Sequence, residues 1–318
     1  MLAVVMCVGG GSLWAGGKKP KPPFQNLGST KLNVAYDQTV SRSNQKSRNE
    51  GIKKTVPEEG TDFGFGLANY SRFGDTTIPV IMKWIPAGTL QMGSTGATDP
   101  DRNSDETQHT VTLTKGYWLM ETEVTQEMYY AVMGLGRGVA KFPDPKNPME
   151  QVSWHDASDF CREIGKNSML TAFFNLSGFE FRLPTEAEWE YACRAGSTTA
   201  VYVNYGNRNK ELDAIAWYDW NSGNVTHNVR LKLPNAWGLY DMIGNVNEWC
   251  SDWYGHYLGV SVVDPTGPSS GHKRVGRGGR WNGSARNSRS AFRFNYGPDG
   301  RIGDEGFRPA LSRVRRAQ

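Results

Sequence analysis

The chain has 318 residues, with 36 Lys and Arg against 32 Asp and Glu and 38% apolar residues, a balance that fits one large domain or two small ones. Its 11 Trp argue against a disordered chain, and no apolar run is long enough to cross a membrane as a helix. Neither a collagen repeat nor a heptad repeat is present, which excludes the fibrous classes.

Residues 1–15, MLAVVMCVGGGSLWA, are apolar and uncharged and read as part of a secretory signal, without its usual basic start. Cys7 follows Val4-Val5-Met6, a loose match to a lipobox in which the cysteine is lipidated, with Met6 where a small residue is usual. Cleavage after Ala15 is the alternative. Residues 16–60 carry KKPKPP and then a polar, basic run, which reads as a flexible tether. The linker and N-terminal extension are drawn over 16–70 and the folded domain over 71–318. This is the layout of a module at the cell surface, as an outer-membrane lipoprotein, or of a secreted one; it meets a membrane only through a lipid anchor.

Along the body, Val80, Met82 and Trp84 alternate before a Pro-Ala-Gly turn, so residues 79–92 are expected to form a hairpin. Val111 and Leu113 mark another strand between His109 and Leu119. Ser153 to Lys166 reads as a helix: Ser153 caps it, Asp156 closes the capping box, and Ala157, Phe160, Cys161 and Ile164 share one face. Thr185 to Arg194 is a second helix, capped by Thr185 and Glu188, with Trp189, Ala192 and Cys193 inward and Gly196 as its stop. Glu186, Glu188 and Glu190 on it read as a solvated charge run. Beyond Gly196 the chain is dense in Gly, Asn and Trp. Two main helices within a long, irregular β chain indicate an α+β fold.

The charge is segregated. Residues 1–60 carry nine basic and four acidic side chains, 61–272 carry 15 and 25, and 273–318 carry 12 and three. From Arg274 onward there are 11 Arg and no Lys. A nucleic-acid-binding tail is one reading. The aromatics Trp281, Phe292, Phe294, Tyr296 and Phe307 interleaved with the arginines favour another, in which forked guanidinium groups pair with carboxylates of the body. No nucleic-acid partner is expected. Cys161, Cys193 and Cys250 lie in no CxxC spacing and the five His form no HxH or HExxH pattern, so a zinc or thioredoxin-like site has no support.

The segments PAGTLQMGS (86–94), EVTQEMY (123–129), NPMEQVSWHDASDFC (147–161), RLPTEAEWEYACRAG (182–196), PNAWGLYDMIGNVNEWCSDWY (234–254), DPTGP (264–268), RVGRGGRW (274–281) and GFRPALS (306–312) resemble, in order and spacing, the formylglycine-generating-enzyme family, or sulfatase-modifying-factor domain. The resemblance implies a C-type lectin-like fold of that type. Enzymes of the family oxidise a substrate cysteine with copper and two cysteines that follow the Arg-Gly-Gly-x-aromatic motif. This chain has Gly283 and Ser288 at those places and no cysteine after Cys250. A thiolate that is both nucleophile and soft-metal ligand has no substitute in glycine. The resemblance therefore implies a member without the family's oxidase activity. It also implies a calcium loop at Asp241, Gly244, Val246 and Glu248, with Asn221 a candidate for a second site. The alternative for Asp241 and Glu248 is pairing with scaffold arginines.

The C-terminal stretch, 274–312, further resembles the variable region of diversity-generating retroelement proteins. In these systems adenine mutagenesis converts template Asn codons into a restricted residue set lacking Lys, Glu, Gln, Met and Trp. Arg280, Gly283, Ser284, Phe292, Phe294, Asn295, Tyr296, Gly297, Gly300, Ile302, Gly303 and Asp304 belong to that set and are the candidate ligand-binding residues. Trp281, Arg286, Arg289, Arg293, Gly306, Phe307 and Arg308 read as scaffold. If the stretch is extended, Phe292, Phe294 and Tyr296 form one aromatic row facing a ligand. The expected protein is a monomer that binds a protein or other surface ligand. The competing expectations are an oxidase on the same fold and a structural subunit using this face for one fixed partner.

Overall fold

Strand β2 (Thr77–Ile85) alternates as its sequence requires, with Ile78, Val80 and Met82 buried. It pairs antiparallel with β1 (Phe63–Ala68) on one side and β5 (Tyr117–Met120) on the other. The computed structural model describes residues 56–68, 77–134, 139–167, 170, 174–202 and 208–314. The expected signal, the lipidation of Cys7 and the tether up to residue 55 lie outside the described residues. Strand β1 shows that the folded part begins before residue 71, because Phe63, Phe65 and Leu67 are buried in the core.

Strands β12 (Ala310–Arg313) and β6 (Phe179–Arg182) complete the first sheet, ordered β1-β2-β5-β12-β6. β5 is central and buried at every position. Trp118 and Met120 face one core, shared with α1 (Gln126–Met133) and α2 (Trp154–Ile164). Tyr117 and Leu119 face the other, with α3 (Glu186–Arg194) and α4 (Arg208–Ile215). A strand covered on both faces has no outward side to make polar.

The expected hairpin over 79–92 is absent. Ile85 ends β2, and β3 (Gly88–Met92) leaves for a different sheet, pairing with β4 (His109–Leu113), which pairs in turn with β8 (Val262–Val263). Pro86, which has no N–H for a ladder, marks the departure. Tyr191 packs so closely on Gly88 that a Cβ there would lie 2.1 Å from the phenol oxygen.

The capping predictions hold. Ser153 with Asp156, and Thr185 with Glu188, form reciprocal capping boxes at α2 and α3. Ala195 takes the left-handed cap conformation ahead of Gly196. Two helices were not expected: α1, capped by Thr125, and α4. The solvated charge run on α3 is also wrong, since Glu186, Glu188 and Glu190 are all buried. The third sheet to be named, β10-β9-β7-β11, carries the C-terminal segment: β7 (Asn247–Trp253), β9 (Arg274–Arg277), β10 (Arg293–Tyr296) and β11 (Glu305–Gly306). Among the described residues, no helix is long and apolar enough to cross a membrane.

Candidate functional site

The segment 274–312 is fixed from below by arginines. Arg293 forks onto Glu186, with Nε 2.6 Å from Oε1 and Nη2 2.8 Å from Oε2. Arg277 pairs with Glu190 and Arg289 with Asp99, while Arg289 also meets Glu106 at 2.7 and 2.8 Å. Arg308 forks onto Glu248 at 2.7 Å on both oxygens. All four guanidinium side chains are buried. A carboxylate run that looks solvated in the sequence is thus the counter-charge of a distant arginine run, and forked pairing suits it. The carboxyl of Glu186 is lowered: burial acts against this, but Arg293 and Arg277 outweigh it. Arg277 was not among the expected scaffold residues. Arg286, which was, is exposed and bonds instead to the Asp101 carbonyl and Asn103.

Above this frame the chain turns outward. After β9, Gly278 and Gly279 take φ of 99° and 83°, which L side chains rarely adopt. Trp281 then tucks under the surface, its indole N–H donating to the Gly303 carbonyl at 2.8 Å, with Lys141 Nζ 4.8 Å over its ring. β10 returns antiparallel to β9, placing Phe294 opposite Gly276 and Tyr296 opposite Arg274. Arg293 points into the frame, and Phe294 and Tyr296 point the other way. Their rings are stacked, 6.4 Å apart and 9° from parallel. The Arg280 guanidinium lies 4.8 Å over Phe294 and reaches Asp304 at 3.2 Å. Tyr296 is exposed and Phe294 half-buried, so the pair forms a platform with one face packed.

The expected row of three rings is a row of two. Phe292 precedes the strand, lies half-buried beside Arg289, and its carbonyl accepts from Arg277 at 2.5 Å. Gly283 and Asp304 are likewise not outward. Gly283 is buried, with its carbonyl accepting the Asp219 N–H. Asp304 is buried, with one carboxylate oxygen held by Arg280 and Asn282. Ser284 is exposed, and Gly297, Gly300, Ile302 and Gly303 are half-buried. Asn295 is half-buried too, but it pairs with Val275 and faces the side of Arg293, so it is not part of the outward row. A Cβ at Gly297 would meet nothing within 4 Å, whereas one at Gly300 would lie 2.0 Å from the Tyr296 ring. Gly300 therefore supports Tyr296. The face also borders two residues the sequence did not assign to it: His155, 3.5 Å from Asp299, and the capping residue Asp156, paired with Arg301. The signal was present in the motif 147–161, read there only for its helix cap.

Under the platform lies an uncompensated group. Glu305 is buried and has no ion-pair partner among the described residues. Burial, and then the charge of Asp304, push its pKa well above the usual carboxylate range.

At the loop where the resemblance places calcium, one carboxylate is engaged by an arginine and the other is half free. Both oxygens of Glu248 are taken by Arg308, and Oε2 also accepts the Trp189 indole N–H at 2.7 Å. Asp241 accepts the Arg230 N–H at 2.7 Å, leaving one buried oxygen unpartnered, and burial holds its carboxyl up at about 6. Asn221 donates to Asp213 and the Ala216 carbonyl and accepts the Tyr218 N–H. Among the described residues, no three His, Cys, Asp or Glu side chains converge as a metal site.

A profile of the sulfatase-modifying factor enzyme 1-like domain matches residues 75–313. The chain belongs to this family. Among solved structures, this sulfatase-modifying-factor-like chain resembles Treponema denticola variable protein 1, at 34% identity and a TM-score of 0.63, over 78% of this chain and 98% of that one. Among relatives, it is 34% identical to the formylglycine-generating enzyme of Bos taurus over 54% of this chain, and spans 45% of that enzyme's length. It is 27% identical to the chaperone protein LppX of Paenibacillus barcinonensis, over 78% of this chain and 95% of the relative. The α+β, C-type lectin-like fold of the formylglycine-generating-enzyme type, expected from the motifs, is the fold of this chain.

Within that family fold the thiol chemistry is displaced. Gly283 and Ser288 are buried where the resemblance places the two cysteines. The free thiols of Cys161, Cys193 and Cys250 are all buried. Burial pushes the Cys193 thiol up to about 12, with Ser290 3.5 Å away, and raises the other two as well. A thiol held protonated in apolar surroundings is a poor nucleophile and a poor soft-metal ligand.

Proposed function

We propose that this chain is a ligand-binding protein whose segment 274–312 forms a diversified binding face on the sulfatase-modifying-factor scaffold. One observation carries the reading: on β10, Arg293 is locked into Glu186 while the next residue, Phe294, stacks with Tyr296 on the opposite side. A rigid stacked pair offers large contact area at low entropic cost. The arginine frame lets neighbouring positions change without loss of the fold. The likeness to a treponemal variable protein supports this reading, and the burial of all three thiols among the described residues weighs against an oxidase. Display at the cell surface, through lipidation of Cys7 or by secretion, belongs to the same proposal, as does action as a monomer on a protein or other surface ligand.

The test is a display library in which Ser284, Phe294, Tyr296, Gly297 and Ile302 are replaced through Asn-codon-derived residues. Panned against hen egg lysozyme as a model ligand, it is expected to yield folded binders whose selected changes fall at these positions. Failure to obtain any binder from a well-folded library would contradict the reading. In parallel, a cysteine peptide of sulfatase type incubated with the chain and copper is expected to show no formylglycine by mass spectrometry. Turnover would restore the enzyme reading.

A further inference from the structure

Arg293 has a second side. Behind β10, away from Phe294 and Tyr296, opens a cavity of about 580 Å³ walled by Met92, Trp253, Leu258, Val260, Val262 and Pro268. The DPTGP motif forms part of its rim, and the proposed binding face does not use it. Leu258, Val260 and Val263 are strongly exposed at its mouth, at 84, 55 and 63%. Clustered exposed apolar side chains around a concave floor are the usual make-up of a small-molecule site.

The floor is polar and unequally compensated. Glu186 is neutralised by Arg293, whose Nη1 is tied to the Gly255 carbonyl at 2.9 Å and whose guanidinium lies 3.9 Å over the Tyr257 ring. Asp252 is also buried, at 3% exposure, yet takes part in no ion pair among the described residues. Its Oδ2 accepts only the Glu186 N–H, at 3.0 Å, and the Ser251 hydroxyl, at 2.9 Å. Gly267 lies against the other oxygen: a Cβ there would stand 3.1 Å from Asp252 Oδ1 and 2.9 Å from its Cβ, so a side chain at this position would close over that oxygen.

We propose that this cavity is a second binding site, for a small apolar molecule carrying a protonated amine, with the hydrocarbon on Trp253, Val260 and Val262 and the ammonium paired with Asp252. The neighbouring guanidinium groups are engaged elsewhere, Arg293 and Arg277 on Glu186 and Glu190 and Arg274 on the Ser251 carbonyl, so Asp252 has no direct ion-pair partner of its own. A carboxylate in an apolar cavity without a counter-ion is costly, and a ligand ammonium supplies it. The electrostatics agree: burial, and then the charge of Glu186, push the Asp252 carboxyl up to about 7. The site is independent of the diversified face and stands whether or not that face binds anything.

The test is calorimetric titration of the full chain with 4-phenylbutylamine and, separately, with 4-phenylbutyrate. Saturable binding of the amine is expected, with the carboxylate weaker by at least about tenfold, or ~1.4 kcal/mol. Asp252→Asn keeps an acceptor for the Glu186 N–H and is expected to weaken the amine by a similar factor. Methyl NMR locates the site without a variant: the amine is expected to shift Leu258, Val260 and Val262 and leave Leu231 and Val225 unmoved. Absence of saturable amine binding, equal binding of the carboxylate, an unaltered affinity in Asp252→Asn, or shifts away from these methyls would each overturn the proposal.

Discussion

Arg293 and Phe294 are adjacent on one strand and belong to different regions of the molecule. Arg293, with Arg277, Arg289 and Arg308, is buried and forked onto carboxylates from α3, β7 and the loop around Asp99 and Glu106. Phe294 and Tyr296 lie on the opposite side of the strand, packed on one face against Gly276 and Gly300 and on each other, with Arg280 over Phe294. The first region makes contacts that only one side chain can make; the second makes contacts that many could replace. Alternation along an extended strand lets one segment hold both roles, since successive side chains face opposite ways. On the proposed reading, a fixed frame would let the outward surface vary, because an interior held by ion pairs does not depend on the identity of the exposed rings.

The comparison breaks most readily at the frame. Arg308→Met leaves Glu248 buried without its counter-charge, and a loss of about 3–5 kcal/mol is expected in thermal or denaturant unfolding. Arg308→Lys should recover little of it, because an ammonium cannot span both oxygens. A variant that melted with the parent would mean that the frame is dispensable. On the outward side, Phe294→Ala with Tyr296→Ala should cost only ~1 kcal/mol of stability, yet abolish lysozyme binding in any selected variant that retains the rings. A collapse of the melting temperature would make the pair core rather than surface.

Glu305 sharpens the boundary between the regions. Its folded pKa is raised, first by burial and then by Asp304, above the unfolded value. A group shifted in this direction stabilises fully below the unfolded pKa, and that stability is lost as pH rises toward and through the folded one. Glu305→Gln removes the titration, so its advantage over the parent should grow from nothing near pH 4 to about 2–4 °C in melting temperature at pH 8. The parent gaining on the variant with rising pH would show that Glu305 is stabilised as an anion. The smallest effect is expected from chelation: with Glu248 committed to Arg308, EDTA should leave the melting temperature unchanged, and a clear drop would return calcium to the loop at Asp241.

What was legible in the sequence was local. Ser153 with Asp156 and Thr185 with Glu188 announce their helices because both halves of the cap lie within one turn. The arginine-rich tail announced a class of interaction, forked pairing with the body, but not its partners. Glu186 and Arg293 are 107 residues apart, so the glutamates looked solvated when read on their own helix. Pro86 read as the turn of a hairpin because a turn and a change of sheet look alike until Tyr191 is seen packed on Gly88. On the outward side of β10, the period of two placed Phe294 and Tyr296 together, but it was carried one step too far to Phe292, which lies before β10 begins. The glycines were hardest: Gly297 is open and Gly300 is filled by Tyr296, a distinction that only the folded arrangement makes.

The most direct test of the two-region account is a complete substitution scan of residues 274–312 on the displayed chain, scored by resistance to protease. Near-parental resistance is expected across most replacements of Ser284, Tyr296 and Gly297, with loss for nearly every replacement of Arg277, Arg289, Arg293 and Arg308. Equal intolerance at both sets would contradict it, because the outward residues would then be part of what holds the fold together.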